Sequence, residues 1–356
     1  MSNQKPYSNA GVDGSGGYEF QKHCALYIFL ENYENIKGSK YFICLEHHED
    51  FLFCHLDENE LIDNIEAYQA KKSSKKWTLS KEFKDIIKKI LEVGIDLNSD
   101  NSKKSERYFH NLHFLSNHEI KLTKIIKKKP IDNIINERNE KIKFDALKKE
   151  IKDELLLLTD SNTQKEINNL IFSYIDFNKT FKAQKQRLVG IFNDVFGDTI
   201  LDHKASVETL LSLFRDVENT LNQGNIVKLM DSSKRVESAK INQTLTVLTT
   251  KQKAFNEWRE QKDKYAELLK IPIREHSSFE LEFKNAFDYF KDLEQVEHQK
   301  IKNFVKDIDL SECFTPESGL KKVIEEFEYK HNTQFNNISI KAILLASYIQ
   351  TREEIK

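Results

Sequence analysis

A carboxylate, an amide and a lysine occur in short apolar runs within the first 71 residues of the chain. Asp50 opens one such run, and Gln69 and Lys71 lie two residues apart at the end of another. Side chains two residues apart on an extended strand point to the same face, so Gln69 and Lys71 would share one face of a sheet. Glu46, at the end of an earlier apolar run, can reach the same sheet edge.

These residue types suit hydrolysis of phosphodiester bonds with a metal ion. The Asp50 carboxylate, the Gln69 side-chain oxygen and the Ala70 backbone carbonyl are oxygen ligands of the kind that Mg²⁺ or Mn²⁺ prefers. A bound cation neutralises charge that develops on a phosphate and polarises a water molecule. Lys71 can orient or deprotonate that water and stabilise the transition state.

Strands and helices must position these residues. Apolar side chains recur at helical spacing over residues 18–33 and predict a first helix. Short aromatic-rich runs predict strands, which in chain order cover residues 41–45, 50–56, 64–71 and 112–116. An apolar repeat between the last two strands predicts a helix that Thr78 or Ser80 caps and Gly94 ends. The expected order is helix, three strands, helix, strand.

Four short motifs follow one another in this region. They are Gly17-Tyr18-Glu19-Phe20-Gln21, Ala25-Leu26-Tyr27, Leu45-Glu46 with Glu49-Asp50, and Tyr68-Gln69-Ala70-Lys71. With the order of elements, they resemble the PD-(D/E)XK nuclease superfamily in the form that has Gln in place of the second acid. More narrowly, they resemble the double-stranded DNA endonuclease domain of bacterial anti-phage effectors of the CBASS and Lamassu types. The resemblance covers about residues 10–120.

The resemblance implies that Asp50, Gln69 and Lys71 are catalytic, and that Glu46 and the first-helix Gln21 lie close to the metal. Because Gln69 is neutral, the centre has one carboxylate fewer than most of the superfamily. Its expected affinity for metal is therefore lower unless a neighbouring glutamate compensates, and the number of metal ions stays open.

Lysines continue from this site into the second predicted helix, and the nearest are Lys72, Lys75 and Lys76. Such a run is usually a solvated face, but beside a nuclease centre it is also a possible track for DNA phosphates that does not read sequence. A second group of lysines, between Lys121 and Lys129, either extends that track or makes a linker soluble, and the linker is the preferred interpretation. His110 and His113 lack a zinc-binding pattern and are interpreted as structural or surface residues.

After Pro130 the pattern predicts helices almost without interruption. Ile134, Ile142, Leu147 and Ile151 suggest one helix, and residues 236–269 suggest a single long one. Charged residues make up 31% of the chain, which suits long solvated helices. The expected organisation is a flexible arm at 1–17, an α/β nuclease domain with a mixed sheet at 18–129, and an all-helical bundle at 130–356.

Composition limits the classes of partner. The formal net charge of -2 argues against a uniformly basic nucleic-acid coat protein but allows a local basic groove. No apolar run approaches the roughly 20 residues that cross a bilayer. The four cysteines lack a CxxC spacing, as expected of reduced thiols in a cytosolic protein. We therefore expect a cytoplasmic bacterial protein without a membrane partner.

Because helices are expected where CBASS effectors carry an α/β nucleotide-sensing domain, the Lamassu type is the nearer resemblance. It implies cleavage of double-stranded DNA with little sequence specificity, controlled through the helical region by an SMC-like ATPase and a small accessory subunit. Activation by homo-oligomerisation is a further hypothesis. Two alternatives stay open: a helical interaction or scaffold protein with an inactive nuclease-like domain, and a nuclease that acts on RNA.

Overall fold

The computed structural model describes residues 10–47, 49–200, 202–218, 229, 231–290, 296–330 and 337–354. This part of the chain forms two compact units. The boundary falls between residues 242 and 243, and the short stretch 198–201 is assigned to the second unit. Each unit has its own cluster of buried apolar side chains, as is typical of separate domains.

Among the described residues, nine strands lie in the first unit. They are β1 (Tyr41–His47), β2 (Glu49–Leu56), β3 (Ile62–Lys71), β4 (Lys104–Ser116), β5 (Ile120–Ile126), β6 (Lys129–Ile135), β7 (Lys141–Lys143), β8 (Leu170–Tyr174) and β9 (Arg235–Glu237). Seven form one sheet in the spatial order β7-β8-β4-β3-β2-β1-β9, and β5 and β6 form a separate hairpin. The pairs β1–β2 and β2–β3 are antiparallel, whereas β3–β4 and β4–β8 are parallel. The sheet is therefore mixed, as the sequence predicts.

Helices cover this sheet. In the described ranges of the first unit they are α1 (Ala10–Ile36), α2 (Lys81–Ser99), α3 (Lys149–Leu156), α4 (Phe181–Phe196) and α5 (His203–Glu218). α1 contacts β2, β3, α4 and α5, and α2 contacts β4. Phe83 and Ile87 of α2 share a buried cluster with Leu52 and Cys54 of β2. Because side chains on both faces of β2 are buried, residues 51–54 are apolar at consecutive positions.

The order of elements over residues 10–116 agrees with the predicted one, but the first helix is longer than expected. α1 begins at Ala10, so residues 10–17 are helical where the sequence predicts a flexible arm. The rest of that expected arm, residues 1–9, lies outside the described part of the chain.

The second helix begins where the sequence predicts and ends later. The Ser80 side-chain oxygen caps α2 by accepting a hydrogen bond from the backbone nitrogen of Phe83 at 3.2 Å. Gly94 lies inside α2, which continues to Ser99. A side chain at Gly94 would come within 2.6 Å of the Glu166 carboxylate. This glycine therefore permits a close contact and does not end the helix.

The first unit continues past residue 129, where the sequence pattern indicates the end of the α/β domain. The prediction of uninterrupted helices after Pro130 is wrong for β6, β7, β8 and β9. Ile134 and Ile142, expected on one helix, lie on two strands, and the interpretation of residues 121–129 as a linker is wrong because they belong to the β5–β6 hairpin. The apolar spacing is compatible with either structure, and pairing with strands distant in sequence decides between them.

In the described part of the second unit, all elements of secondary structure are helices. The helices are α6 (Ser238–Leu268), which begins in the first unit, α7 (His276–Tyr289), α8 (Val296–Lys306), α9 (Pro316–Lys330) and α10 (Asn337–Glu354). Trp258 and Tyr265 of α6 are buried with Phe279 and Phe283 of α7. The helical region expected after the α/β domain is therefore present from α6 onward. Within the described ranges, no helix is both long and apolar enough to span a membrane.

Candidate active site

The candidate site lies where β2 begins and β3 ends. The antiparallel register of the two strands places Asp50 beside Gln69 and Ala70. Because side chains alternate along a strand, Gln69 and Lys71 share the face of β3 next to Asp50. The structure thus brings together the three side chains that the sequence predicts as a catalytic centre.

Asp50 is held by hydrogen bonds from two sides. The backbone nitrogen of Ala70 donates to Oδ2 at 2.7 Å, and Nε2 of Gln21 donates to Oδ1 at 2.7 Å. The Gln69 side chain also forms a hydrogen bond with this carboxylate. Gln21 lies on α1, so the first helix positions the carboxylate. These three hydrogen bonds leave about one lone-pair position of the carboxylate for a further ligand. That Gln21 lies close to a metal ion stays a prediction.

The charge of Asp50 is only partly compensated. Burial raises the pKa of its carboxyl group above the ordinary value, and the attraction of Lys71 and the hydrogen bonds from Gln69 and Ala70 offset only part of this shift. A group in this state gains from a nearby cation, because added positive charge favours the ionised form.

The Lys71 side chain lines a groove beside α2. The groove has a volume of about 490 Å³ and is lined by Lys71 together with Lys81, Glu82, Asp85, Ile86 and Lys89. Lys71 is only partly exposed and lies close enough to Asp50 to lower the pKa of that carboxyl group. A phosphate at the Lys71 end of the groove would therefore meet the ammonium group of this lysine.

Hard oxygen donors are present for a metal ion, but charged ones are few. Asp50 contributes a carboxylate, Gln69 an amide oxygen and Ala70 a backbone carbonyl, which are donor types that fit a hard cation. In the described part of the chain, no cluster of three or more His, Cys, Asp or Glu side chains has the geometry of a metal site. Glu46 lies on β1, but its side chain is outside the described part, so the predicted contribution of this carboxylate stays a prediction.

Comparison with known families adds an independent observation. The family model described as Cap4, dsDNA endonuclease domain, matches residues 9–224, which is more than half of the chain. The chain belongs to this family. No curated protein and no solved structure shows significant similarity to it.

Membership in the Cap4 endonuclease family is consistent with the structural boundaries. The match contains the strands β1 to β8 and the helices α2 to α5 in full, and it extends past residue 129 as the first compact unit does. All residues of the candidate site lie inside it. The family supports a nuclease domain of bacterial anti-phage defence.

The loop after Lys71 is anchored by residues that the sequence patterns do not single out. The backbone nitrogen of Ser73 donates to Oδ1 of Asn117 at 2.9 Å, and Nε1 of Trp77 donates to Oγ of Ser116 at 2.9 Å. These partners lie some 40 residues apart in sequence, and no local periodicity connects them. The bonds hold the loop, and the lysines on it, against the end of β4.

The three predicted DNA-binding lysines have different surroundings. The Lys72 ammonium lies 4.1 Å from the centre of the Phe181 ring of α4, a cation–π contact that directs it toward that helix. Lys75 and Lys76 are exposed on the loop. The last two are therefore the ones directly available to a phosphate.

Glu19, in the same motif as Gln21, forms ion pairs with basic side chains of the protein. Arg215 of α5 donates to it from Nε at 3.3 Å and Nη2 at 3.2 Å, and the Lys22 ammonium lies 3.3 Å away. Burial raises the pKa of Glu19, but these partners outweigh it and the pKa is lowered. Its charge is thus compensated within the protein, and it joins α1 to α5.

Proposed function

We propose that this protein is a metal-dependent endonuclease of the PD-(D/E)XK type that hydrolyses phosphodiester bonds in double-stranded DNA. It acts with little sequence specificity, in the bacterial cytoplasm, as an effector of anti-phage defence. Family membership supports DNA as the substrate. The observation that carries the assignment of the centre is the Asp50 carboxylate, oriented by Gln21 and Ala70 and placed beside Gln69 and Lys71.

In this mechanism the residues of the centre divide the work. Asp50, the Gln69 amide oxygen and the Ala70 carbonyl would hold Mg²⁺ or Mn²⁺, and Gln21 keeps the Asp50 carboxylate in position. When bound, the cation supplies positive charge at the phosphate and polarises water. Lys71 orients the attacking water, accepts or shares its proton, and stabilises charge that develops on the phosphate.

Lysines near the centre are proposed to bind the phosphates of the DNA duplex. Lys75 and Lys76 contact phosphates from the loop after β3, and Lys72 does so if it leaves the Phe181 ring. The groove beside Lys71 continues this path along α2. Contacts of this kind position DNA without reading its sequence, which is the basis for low specificity.

Control of the enzyme is proposed to lie in the helical region. The Lamassu-type resemblance supports an SMC-like ATPase and a small accessory subunit as partners, and activation by homo-oligomerisation. The helical second unit, residues 243–356, supplies the surface for these contacts. A restrained state is required because an active nuclease of low specificity would cut the host genome.

The test uses purified full-length protein with supercoiled and linear double-stranded DNA, single-stranded DNA and RNA, in Mg²⁺, Mn²⁺ or chelator. Cleavage of duplex DNA is expected only with metal, and a loss of at least roughly 100-fold is expected for Asp50→Ala and for Lys71→Ala. Glu58→Ala and Lys103→Ala, which remove exposed charges of the same unit away from the centre, are matched controls.

Cleavage that survives both active-site substitutions would contradict the assignment of the centre, and preference for RNA would contradict the assigned substrate. If the wild type is silent, the assay is repeated at high protein concentration and with the products of neighbouring genes. Silence under all these conditions would favour the scaffold alternative.

A further inference from the structure

The β5–β6 hairpin starts at the same edge of the sheet as the candidate site. Lys71, at the end of β3, is paired with Ser116 at the end of β4, and β5 begins shortly afterwards. Trp77, on the loop that follows Lys71, forms a parallel bridge with Ile120, and its backbone oxygen accepts a hydrogen bond from the nitrogen of Lys121 at 2.9 Å. The hairpin therefore shares an anchoring point with the lysine-rich loop.

The base of this hairpin is fixed in the fold. Ile120 and Ile135, paired at its base, are fully buried. Glu154 of α3 bonds to Lys124 of β5 and, at 2.5 Å, to Lys84 of α2. Seven-residue strands reach roughly 20 Å, so a base held in this way presents the opposite end of the hairpin in a defined position.

The tip of the hairpin, residues 125–129, carries uncompensated positive charge. At the base, Lys121 lies 3.4 Å from Asp132, and Lys124 pairs with Glu154. At the tip, Lys127–Lys129 are exposed, and no carboxylate in the described part of the chain forms an ion pair with them. Three free ammonium groups on one turn form a local binding surface for an anionic polymer.

An apolar side chain lies among these charges. Ile125 is 70% exposed and Ile126 is 39% exposed. Proteins that bind the DNA minor groove combine these two features: cations neutralise phosphates at the groove edges, and an apolar side chain enters the groove against sugars and base edges. The composition of the tip matches this chemistry.

The backbone of the turn does not favour lysine at its two central positions. Ile126 pairs with Lys129, so the turn has two residues, Lys127 and Lys128, with φ of 47° and 65°. Turns with two positive φ angles favour Asn-Gly, and other residues in this region cost on the order of 1 kcal/mol each. Lysine occupies both positions in spite of this cost, as is typical of a site selected for binding.

From these observations we propose that the hairpin tip binds the minor groove of the substrate duplex. This contact is additional to the one that the duplex makes at the catalytic centre. The inference rests on the proposed function, since the duplex is the substrate of that centre. Lys127–Lys129 contact phosphates on both sides of the groove, and Ile125 enters it.

The test measures binding separately from cleavage. Full-length protein in chelator is titrated against a fluorescent 30-base-pair duplex at several salt concentrations. Replacing Lys127, Lys128 and Lys129 together by Ala is expected to weaken binding roughly tenfold or more and to reduce the slope of log K against log salt by about 3. The matched control replaces Lys37, Lys40 and Lys103, which precede β1 and β4 at the opposite end of the sheet, and keeps the wild-type slope.

Two further variants separate binding from folding. Lys127→Asn combined with Lys128→Gly provides the preferred turn, so we expect a higher melting temperature together with weaker DNA binding. Ile125→Ser is expected to weaken binding severalfold while the salt slope stays unchanged, because no charge is removed.

An unchanged salt slope in the triple variant overturns the proposal, and so does an equal loss in the control triple. Loss of binding to vesicles of anionic lipid with DNA affinity intact also overturns it and would assign the tip to a membrane surface. If the wild type cuts no DNA under any of the conditions of the cleavage test but binds it through the tip, the proposed catalytic function fails and the inference about the hairpin is supported.

Discussion

Two partly buried carboxylates lie on neighbouring strands of the first unit and point to opposite faces of the sheet. Glu66 of β3 accepts hydrogen bonds from Asn64 at 3.0 Å and Asn111 at 2.8 Å, and bonds to His113 at 2.6 Å. Burial raises the pKa of Glu66, but these bonds outweigh it and hold the pKa at about 2. For Asp50 the effect of burial outweighs that of the hydrogen bonds and of Lys71, so the pKa of its carboxyl group is raised.

The difference separates an acid that the fold stabilises in its ionised form from one that it does not. The partner of Glu66 is itself fixed: His113 is fully buried, stacks on Tyr68 with ring centres 4.3 Å apart, and lies 3.2 Å from the Ser173 hydroxyl. Burial lowers the pKa of His113, so near pH 7 the imidazole stabilises the ionised Glu66 as a hydrogen-bond donor and not as a counter-ion. Glu66 therefore has all its hydrogen-bond partners within the protein, and the residue stabilises the fold. Asp50 is not stabilised in this way and is free to gain a cation. His113 has the structural role that the sequence predicts.

The largest expected effect is on DNA cleavage. Asp50→Asn should reduce the single-turnover rate of plasmid nicking by roughly 100-fold or more, because it removes the one charged metal ligand assigned within the centre. Glu66→Gln, which changes a carboxylate of equal charge on the adjacent strand, should keep the rate per folded molecule within about tenfold. An equal loss of cleavage rate in the two variants would contradict the proposal that Asp50 is catalytic and Glu66 is structural.

The stability of the fold, unlike the rate of cleavage, should depend more on Glu66 than on Asp50. The pKa of Glu66 is lowered from 4.5 to about 2, so its contribution to folding is present above pH 4.5 and is lost as pH falls toward 2. Glu66→Gln should thus lower the free energy of unfolding at pH 7 by up to about 3 kcal/mol. Urea unfolding at pH 7, 5 and 3 measures this, with the exposed Glu58→Gln as control. A loss that is the same at pH 7 and pH 3 would contradict the charge explanation.

A change at Gln69 should alter the concentration of Mg²⁺ that cleavage requires. Gln69→Glu adds a second carboxylate beside Asp50, so the Mg²⁺ concentration that gives half-maximal cleavage should fall by about tenfold. Gln69→Ala, which removes the amide oxygen, should raise it. Titration of metal in the nicking assay gives both values, and a higher metal requirement in Gln69→Glu would argue against Gln69 as a ligand.

The smallest expected effect is a gain in stability. Because the pKa of Asp50 is raised in the folded state, its charge opposes folding above that pKa, and the penalty disappears as pH falls toward 3.8. Asp50→Asn should therefore slightly raise the melting temperature of the metal-free protein at pH 7. Thermal unfolding in chelator tests this. Added Mg²⁺ should stabilise the wild type and leave the variant unchanged, and a destabilised variant would show that Asp50 is needed for the fold.

Local patterns predicted the elements that carry the candidate site. The aromatic-rich runs correspond to β1, β2 and β3, and the two-residue spacing of Gln69 and Lys71 is sufficient to place both on one face. The long helical repeat of residues 236–269 corresponds closely to α6. These predictions succeeded because side-chain periodicity over a few residues is a property of the sequence itself.

Pairing between distant residues was decided only by the tertiary structure. Residues 120–135 have a composition that fits a linker or a helix, and they form a hairpin because β5 and β6 pair with each other and α3 packs against them. The ionisation of Glu66 depends on partners on another strand, and that of Asp50 on a helix and a strand. A sequence determines which groups can ionise, but burial and partners set their pKa values, and both are properties of the folded chain.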